Sequence, residues 1–177
     1  MNPRYWPLLA ALPALLVFNL IVAGHERTLA SGDAVLLPLR PVDPRSLMQG
    51  DYMALDYALT ERIDATMAAA HWAPQRGDVL YAYLRRDQYG IGQLQRVGNV
   101  ASKPRAGELV LKLRWENHGA KLPTHSYFFA EGEGERFAQA RYASWRIGEH
   151  GTALLEGLAD RERRAIAPGR MPAAKDN

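Results

Sequence analysis

Hydrophobic positions change period along this chain, and the first change is the largest. From Trp6 to Gly24 there is no charged residue, and Asn19 is the one strongly polar side chain. A helix of that length would rise roughly 28 Å, close to the thickness of a bilayer core. Pro7 and Pro13 are compatible with a membrane helix, because neighbouring groups can satisfy the freed carbonyls. A cleaved signal peptide would have a shorter apolar region, roughly 7–15 residues, and a small-x-small site. The only candidate for that site is Val22-Ala23-Gly24. A soluble core helix would show an amphipathic face, and this stretch has none. The pattern therefore predicts one N-terminal transmembrane helix, an uncleaved anchor. Arg4 lies before the span and His25-Glu26-Arg27 after it, which places the N-terminus on the cytoplasmic side by the positive-inside rule.

Beyond Gly32 the period drops to two. Ala34 to Leu39 reads as a first strand, and Pro38 sends it to a sheet edge. Pro41 to Gln49 is a loop, and Gly50-Asp51 opens a second strand. Within that strand Met53, Leu55 and Tyr57 fall on one face, and Tyr52, Ala54 and Asp56 on the other. Ile63, Met67 and Ala70 suggest a short helix over Ile63 to His71. Val79 to Leu84 and Gly90 to Val97 read as a hairpin across the polar turn Arg85 to Gln88. Glu108 to Trp115 is the cleanest strand, with Leu109, Leu111, Leu113 and Trp115 alternating with Val110, Lys112 and Arg114. A short aromatic strand at Ser126 to Phe129, a helix over Glu135 to Tyr142, and a hairpin formed by Ala143 to Ile147 and Thr152 to Leu158 complete the set. From Ala167 on, Pro, Gly and Ala predominate with few apolar anchors, as in a disordered tail. About eight strands joined by short turns predict a mainly β fold. The expected form is an antiparallel barrel- or sandwich-like domain with one or two short helices. The expected division is an anchor over 1–30, a β-rich extracytoplasmic domain over 31–166, and a tail over 167–177.

Composition narrows the function classes only a little. The 177 residues include no cysteine, which removes disulfides and thiolate chemistry. The net charge is +3, falling to +2 once Arg4 is set aside with the anchor. No basic stripe interleaved with aromatics is present, so nucleic acid is not an expected partner. Arg161-Glu162-Arg163-Arg164 reads as a solvated edge. No phosphate-cradling loop and no nucleophile elbow occur. No cofactor is expected.

The segment Gly50-Asp51-Tyr52-Met53-Ala54-Leu55-Asp56-Tyr57 fits Gly-Asp-Tyr-x-x-Leu-x-Tyr at all five fixed positions. This pattern resembles the signature of the bacterial GDYXXLXY proteins, a family named for a motif and not for an activity. The likeness extends to the lead-in Pro41-Val42-Asp43-Pro44-Arg45-Ser46-Leu47. It also includes a second block, Tyr127-Phe128-Phe129-Ala130-Glu131-Gly132-Glu133-Gly134. Just before that block this chain has Thr124-His125-Ser126 where the family usually shows a Tyr-Gly-like stretch. Members look like membrane-anchored proteins, often encoded beside multi-span membrane proteins. The resemblance thus implies an accessory subunit of the bacterial envelope with a multi-span membrane protein as partner.

Three constellations could carry chemistry. Asp43, Arg45, Ser46, Asp51 and Tyr52 form a polar loop that could bind a partner or small ligand. Their ordinary alternative is turn capping by the aspartates with Arg45 as ion-pair partner. Tyr127 and Glu131 join them as candidate binding residues, while Gly50, Leu55, Tyr57, Gly132 and Gly134 read as structural parts of the motif. Glu131, Glu133, His125 and Glu135 could offer oxygens and a nitrogen to a cation. The spacing lacks the regularity of a calcium loop or a zinc site, so a Gly-rich turn is the simpler reading and no metal is expected. Finally, Ser46, Gly50-Asp51, Arg76-Gly77-Asp78-Val79 and Gln95-Arg96-Val97 resemble the strand order of a signal peptidase, which pairs serine with a lysine base. Gln95 stands at the lysine position and cannot act as a base.

These readings predict a single-pass protein of the bacterial inner membrane, with the membrane itself as partner through Trp6-Gly24 and the β-rich domain in the periplasm. The domain would bind another envelope protein. The alternatives are a small-molecule or cell-wall-fragment binding domain and an inactive or divergent signal-peptidase-like hydrolase.

Overall fold

The computed structural model describes residues 6–40, 52–117 and 119–167, without the side chains of residues 6–10. Asp43, Arg45, Ser46, Gly50 and Asp51 lie outside these residues, as does the predicted tail from 168 on. The fold is mainly β, with nine strands among the described residues arranged in antiparallel sheets as a half-barrel.

Helix α1 (Trp6–Ser31) leads directly into β1 (Asp33–Pro38). Every side chain from residue 11 to 22 on α1 is exposed, and seven large apolar ones from Leu12 to Ile21 are 54–64% accessible. Among the described residues, the helix meets the domain in its last turns, where Thr28 is buried near β8 and β9. Among the described residues no helix is long and apolar enough to cross a membrane.

Three sheets follow. Strand β1 pairs with β8 (Tyr142–Ile147), and β8 with β9 (Ala153–Ala159). β2 (Tyr52–Ala54) pairs with β7 (Ser126–Phe128). The third sheet has the order β4-β3-β5-β6, from β3 (Val79–Arg86), β4 (Gly92–Gly98), β5 (Glu108–Glu116) and β6 (Gly119–Lys121). β1 is an edge strand of its sheet, as Pro38 predicts, and a parallel bridge from Leu36 to Ile91 links it to the start of β4.

One hydrophobic core joins these pieces. Val35, Leu37, Leu80, Ala82, Leu84, Leu111, Leu113, Ala143 and Trp145 are all at most 1% exposed. Helix α2 (Ala58–Ala69) closes the core with Leu59, Ile63 and Met67, one apolar stripe at i, i+4 and i+8. It begins five residues before the predicted start, and Ala70 is exposed rather than part of the stripe. Tyr57 stands at its N-cap without a side-chain capping bond, while the Thr60 hydroxyl donates to the Tyr57 carbonyl at 2.7 Å. With none of the usual capping residues at that position, the sequence carries no start signal. The helix predicted over Glu135 to Tyr142 is a single turn, α3 (Gly134–Phe137), because β8 claims Tyr142 for pairing with β1 and β9. The strand β6 was not anticipated. Its three residues are too few to show a period.

Candidate functional site

The two motif blocks lie side by side. In β2 and β7, Tyr52 faces Phe128, Met53 faces Tyr127, and Ala54 faces Ser126. Alternation then sorts the side chains by face. Met53, Leu55 and Tyr57 are buried, while Ala54 is exposed and Tyr52 and Asp56 are half-buried. The predicted split of the motif between two faces is what the fold has.

The inner face is a structural brace. Tyr57 is 3% exposed, and its hydroxyl donates to the Thr124 carbonyl at 3.0 Å. Its ring packs against Trp145 at 5.9 Å, and its backbone bridges to Leu39 at the end of β1. Burial pushes its hydroxyl well above the ordinary tyrosine pKa, an effect opposed by the Trp145 indole. The indole Nε1 itself is buried and does not reach hydrogen-bond geometry. The Leu55 amide donates to the His125 carbonyl at 2.9 Å. Both acceptors are backbone atoms, so the Thr124-His125-Ser126 departure keeps these contacts whatever its side chains. Tyr127 on β7 and Phe129 just after it pack against Phe137 of α3, with ring centroids 5.1 and 5.4 Å apart. Burial, and then the Glu133 charge, raise the Tyr127 hydroxyl. Gly132 has φ +83, a conformation that excludes most other residues from the turn before α3.

The outer face is different. Phe128 is 74% exposed, and the Tyr52 ring leans on it at 5.6 Å and 39°. Asp56 is paired with Arg40 at 3.5 Å, and Arg40 also reaches Glu61 at 3.7 Å. Glu131 is exposed on the turn that follows β7. Tyr52 and Phe128 therefore share one surface, whereas Tyr127 faces away from it. The sequence marks Phe128 only as part of the second block. The signal that singles it out is its parity, opposite to Tyr127 and Phe129.

Glu133 forms an ion pair with Arg136 at 3.5 Å. Among the described residues no three His, Asp or Glu side chains gather as a metal site would need. Gln95 is exposed, and its amide donates to the carbonyl of Gln93 on its own strand at 3.3 Å.

A second polar assembly has no signature in the sequence. Tyr83 is fully buried on the side of β3 away from the core, beneath the loop that joins β4 to β5. The Ser102 amide and hydroxyl both donate to the Tyr83 oxygen at 2.7 Å, and the Tyr83 hydroxyl donates to the Ser102 carbonyl at 3.1 Å. The Arg96 guanidinium lies 3.3 Å over the Tyr83 ring and donates to Ser102 Oγ and Glu108 Oε2. Burial alone would raise the Tyr83 hydroxyl, but the Ser102 bonds and the Arg96 charge hold it below the ordinary value. The hydrogen bond from Arg96, with a second from the Arg105 amide, holds the Glu108 carboxyl below the usual carboxylate range. Alternation places Tyr83, Arg96 and Glu108 on one face. Nothing in the sequence shows that Ser102 folds back over them.

Residues 14–158 of the chain match the family described as GDYXXLXY protein. Neither a curated protein nor a solved structure matches.

Proposed function

We propose that this chain, which belongs to the GDYXXLXY family, is a membrane-anchored accessory protein whose β-rich domain docks on another envelope protein. The observation that carries this reading is the pairing of the two motif blocks, which leaves Phe128 exposed beside Tyr52. An exposed Phe128 beside the half-buried Tyr52 on a braced strand pair has the chemistry of an interface anchor, because aromatic side chains are enriched among the residues that anchor protein interfaces. The brace from Tyr57 and Phe137 holds the pair in place before the partner arrives.

The anchor is the uncharged stretch from Trp6 to Gly24. A helix apolar all round is suited to a protein core or a membrane, and residues 11–22 of α1 are exposed on every side. With Arg4 before the stretch, the domain sits on the periplasmic side of the inner membrane. Catalysis has little to support it, since Gln95 supplies no base. The test is recovery of the full-length protein from native membranes in mild detergent, alongside Tyr52→Ala and Phe128→Ser. One multi-span protein recovered with the wild type and depleted in both variants supports the reading. Equal recovery in all three contradicts it.

A further inference from the structure

We propose that a groove where α1 meets the half-barrel binds a phosphate-bearing anion, either the headgroup phosphate of an anionic lipid or free phosphate. The groove measures about 1200 Å³ and runs between the last turns of α1, the outer face of β5, the loop after β4, and the turn before β9. Arg27, Lys103 and Lys112 line it, together with His150. None of the three cations forms an ion pair among the described residues. Of the carboxylates at the groove, Asp33 is taken by Arg86 at 3.0 Å and Glu108 by Arg96 at 3.0 Å. That leaves Glu149 alone against three uncompensated cations, a balance that favours an anion.

The groove is held in shape from both sides. The Tyr83–Ser102 bonds pin the loop that carries Lys103. On β5, Lys112 points away from the core beside Tyr81, its cross-strand neighbour. Opposite, Gly148 lies so close to Thr28 that an added Cβ would stand 2.9 Å from its Oγ1. Gly151, at φ +85, lies against the backbone of Lys112. The backbone that carries Arg27 thus lies against the Gly148–Gly151 turn, which in turn lies against Lys112.

The source of the anion follows from position. Gly24 ends the uncharged stretch and also lines the groove. If α1 is inserted, the cations lie at headgroup level, where each basic side chain adds about fivefold to affinity for an anionic surface. That part of the inference rests on the anchor reading above, whereas the preference for an anion does not.

The experiment uses the full chain in a neutral detergent and follows its melting temperature. Dihexanoyl phosphatidylglycerol, dihexanoyl phosphatidylcholine and inorganic phosphate are titrated at constant ionic strength. A saturable rise with phosphatidylglycerol, absent with phosphatidylcholine, supports a lipid headgroup. An equal rise with inorganic phosphate supports a free anion. In either case Lys103→Gln and Lys112→Gln each shift the midpoint about fivefold, and Lys112→Arg restores it. Both lysines are exposed, so the unliganded melting temperature stays near wild type. No rise with either anion, or midpoints unmoved by the glutamine variants, overturns the proposal. Carbonate extraction of native membranes separates the two readings. A chain retained in the pellet that ignores both anions keeps its anchor and loses this site, and a chain released by carbonate that still binds phosphate does the reverse.

Discussion

Tyr52 and Phe128 face each other on neighbouring antiparallel strands with ring centroids 5.6 Å apart, although each comes from a different motif block. The pair joins the two most distinctive parts of the sequence into one surface. Phe128 is 74% exposed, so Phe128→Ser removes apolar surface without opening a cavity. The expected change in stability is within about 0.5 kcal/mol, measured by urea denaturation of the full chain in detergent. A loss of several kcal/mol would mean that Phe128 is part of the fold's support rather than its outer face.

Tyr57 marks the opposite limit. Tyr57→Phe leaves the ring against Trp145 and removes only the bond to the Thr124 carbonyl, at an expected cost of about 1 kcal/mol. Tyr57→Ala also empties the space between Trp145 and β1, and is expected to cost about 3–5 kcal/mol. The same denaturation experiment checks both, and equal losses would show that the ring contributes nothing.

Gly32 carries a separate test. A Cβ there would collide with the Thr28 carbonyl oxygen and stand 3.1 Å from that of Ile147, both of them backbone atoms that cannot swing aside. Gly32→Ala is expected to destabilise by about 1–3 kcal/mol and to loosen the end of α1. Hydrogen exchange should then speed up at Thr28 to Gly32 and around Ile147 more than in α2. Uniform exchange would show that α1 is not docked through this contact.

Glu108 predicts a pH dependence with a definite sign. Its carboxyl is held below its ordinary value of 4.5 by Arg96 and the Arg105 amide. The folded state therefore gains from its ionised form. That gain is present above about pH 4.5 and is lost as pH falls through the lowered folded value. Glu108→Gln lacks it, so wild type should exceed the variant in stability at neutral pH and converge with it in acid. A constant difference down to the acid limit of folding would exclude the ion pair as its cause.

The sequence showed local order better than assembly. The alternation of Met53, Leu55 and Tyr57, and of Leu109 to Trp115, was legible because period two decides which face is buried. The early start of α2 was not, since Tyr57 is no capping residue. Nor was the pairing of β2 with β7, because strand pairing across a long stretch of chain depends on the packed core and leaves no local mark. The Tyr83–Arg96–Ser102–Glu108 assembly was hidden for the same reason, as Ser102 sits in a loop without apolar period. Of the candidate site residues, Tyr52 is half-buried on the outer face of β2 and Glu131 is exposed on the turn after β7. Tyr127 faces Phe137.

The most direct test is quantitative mass spectrometry of what copurifies with the full-length protein from native membranes, compared with Phe128→Ser at matched expression. The predicted result is one multi-span membrane protein at near-stoichiometric yield with the wild type, falling at least tenfold with the variant while its melting temperature holds. Recovery of the wild-type protein alone, or undiminished recovery with Phe128→Ser, would contradict the assignment of this surface to a partner.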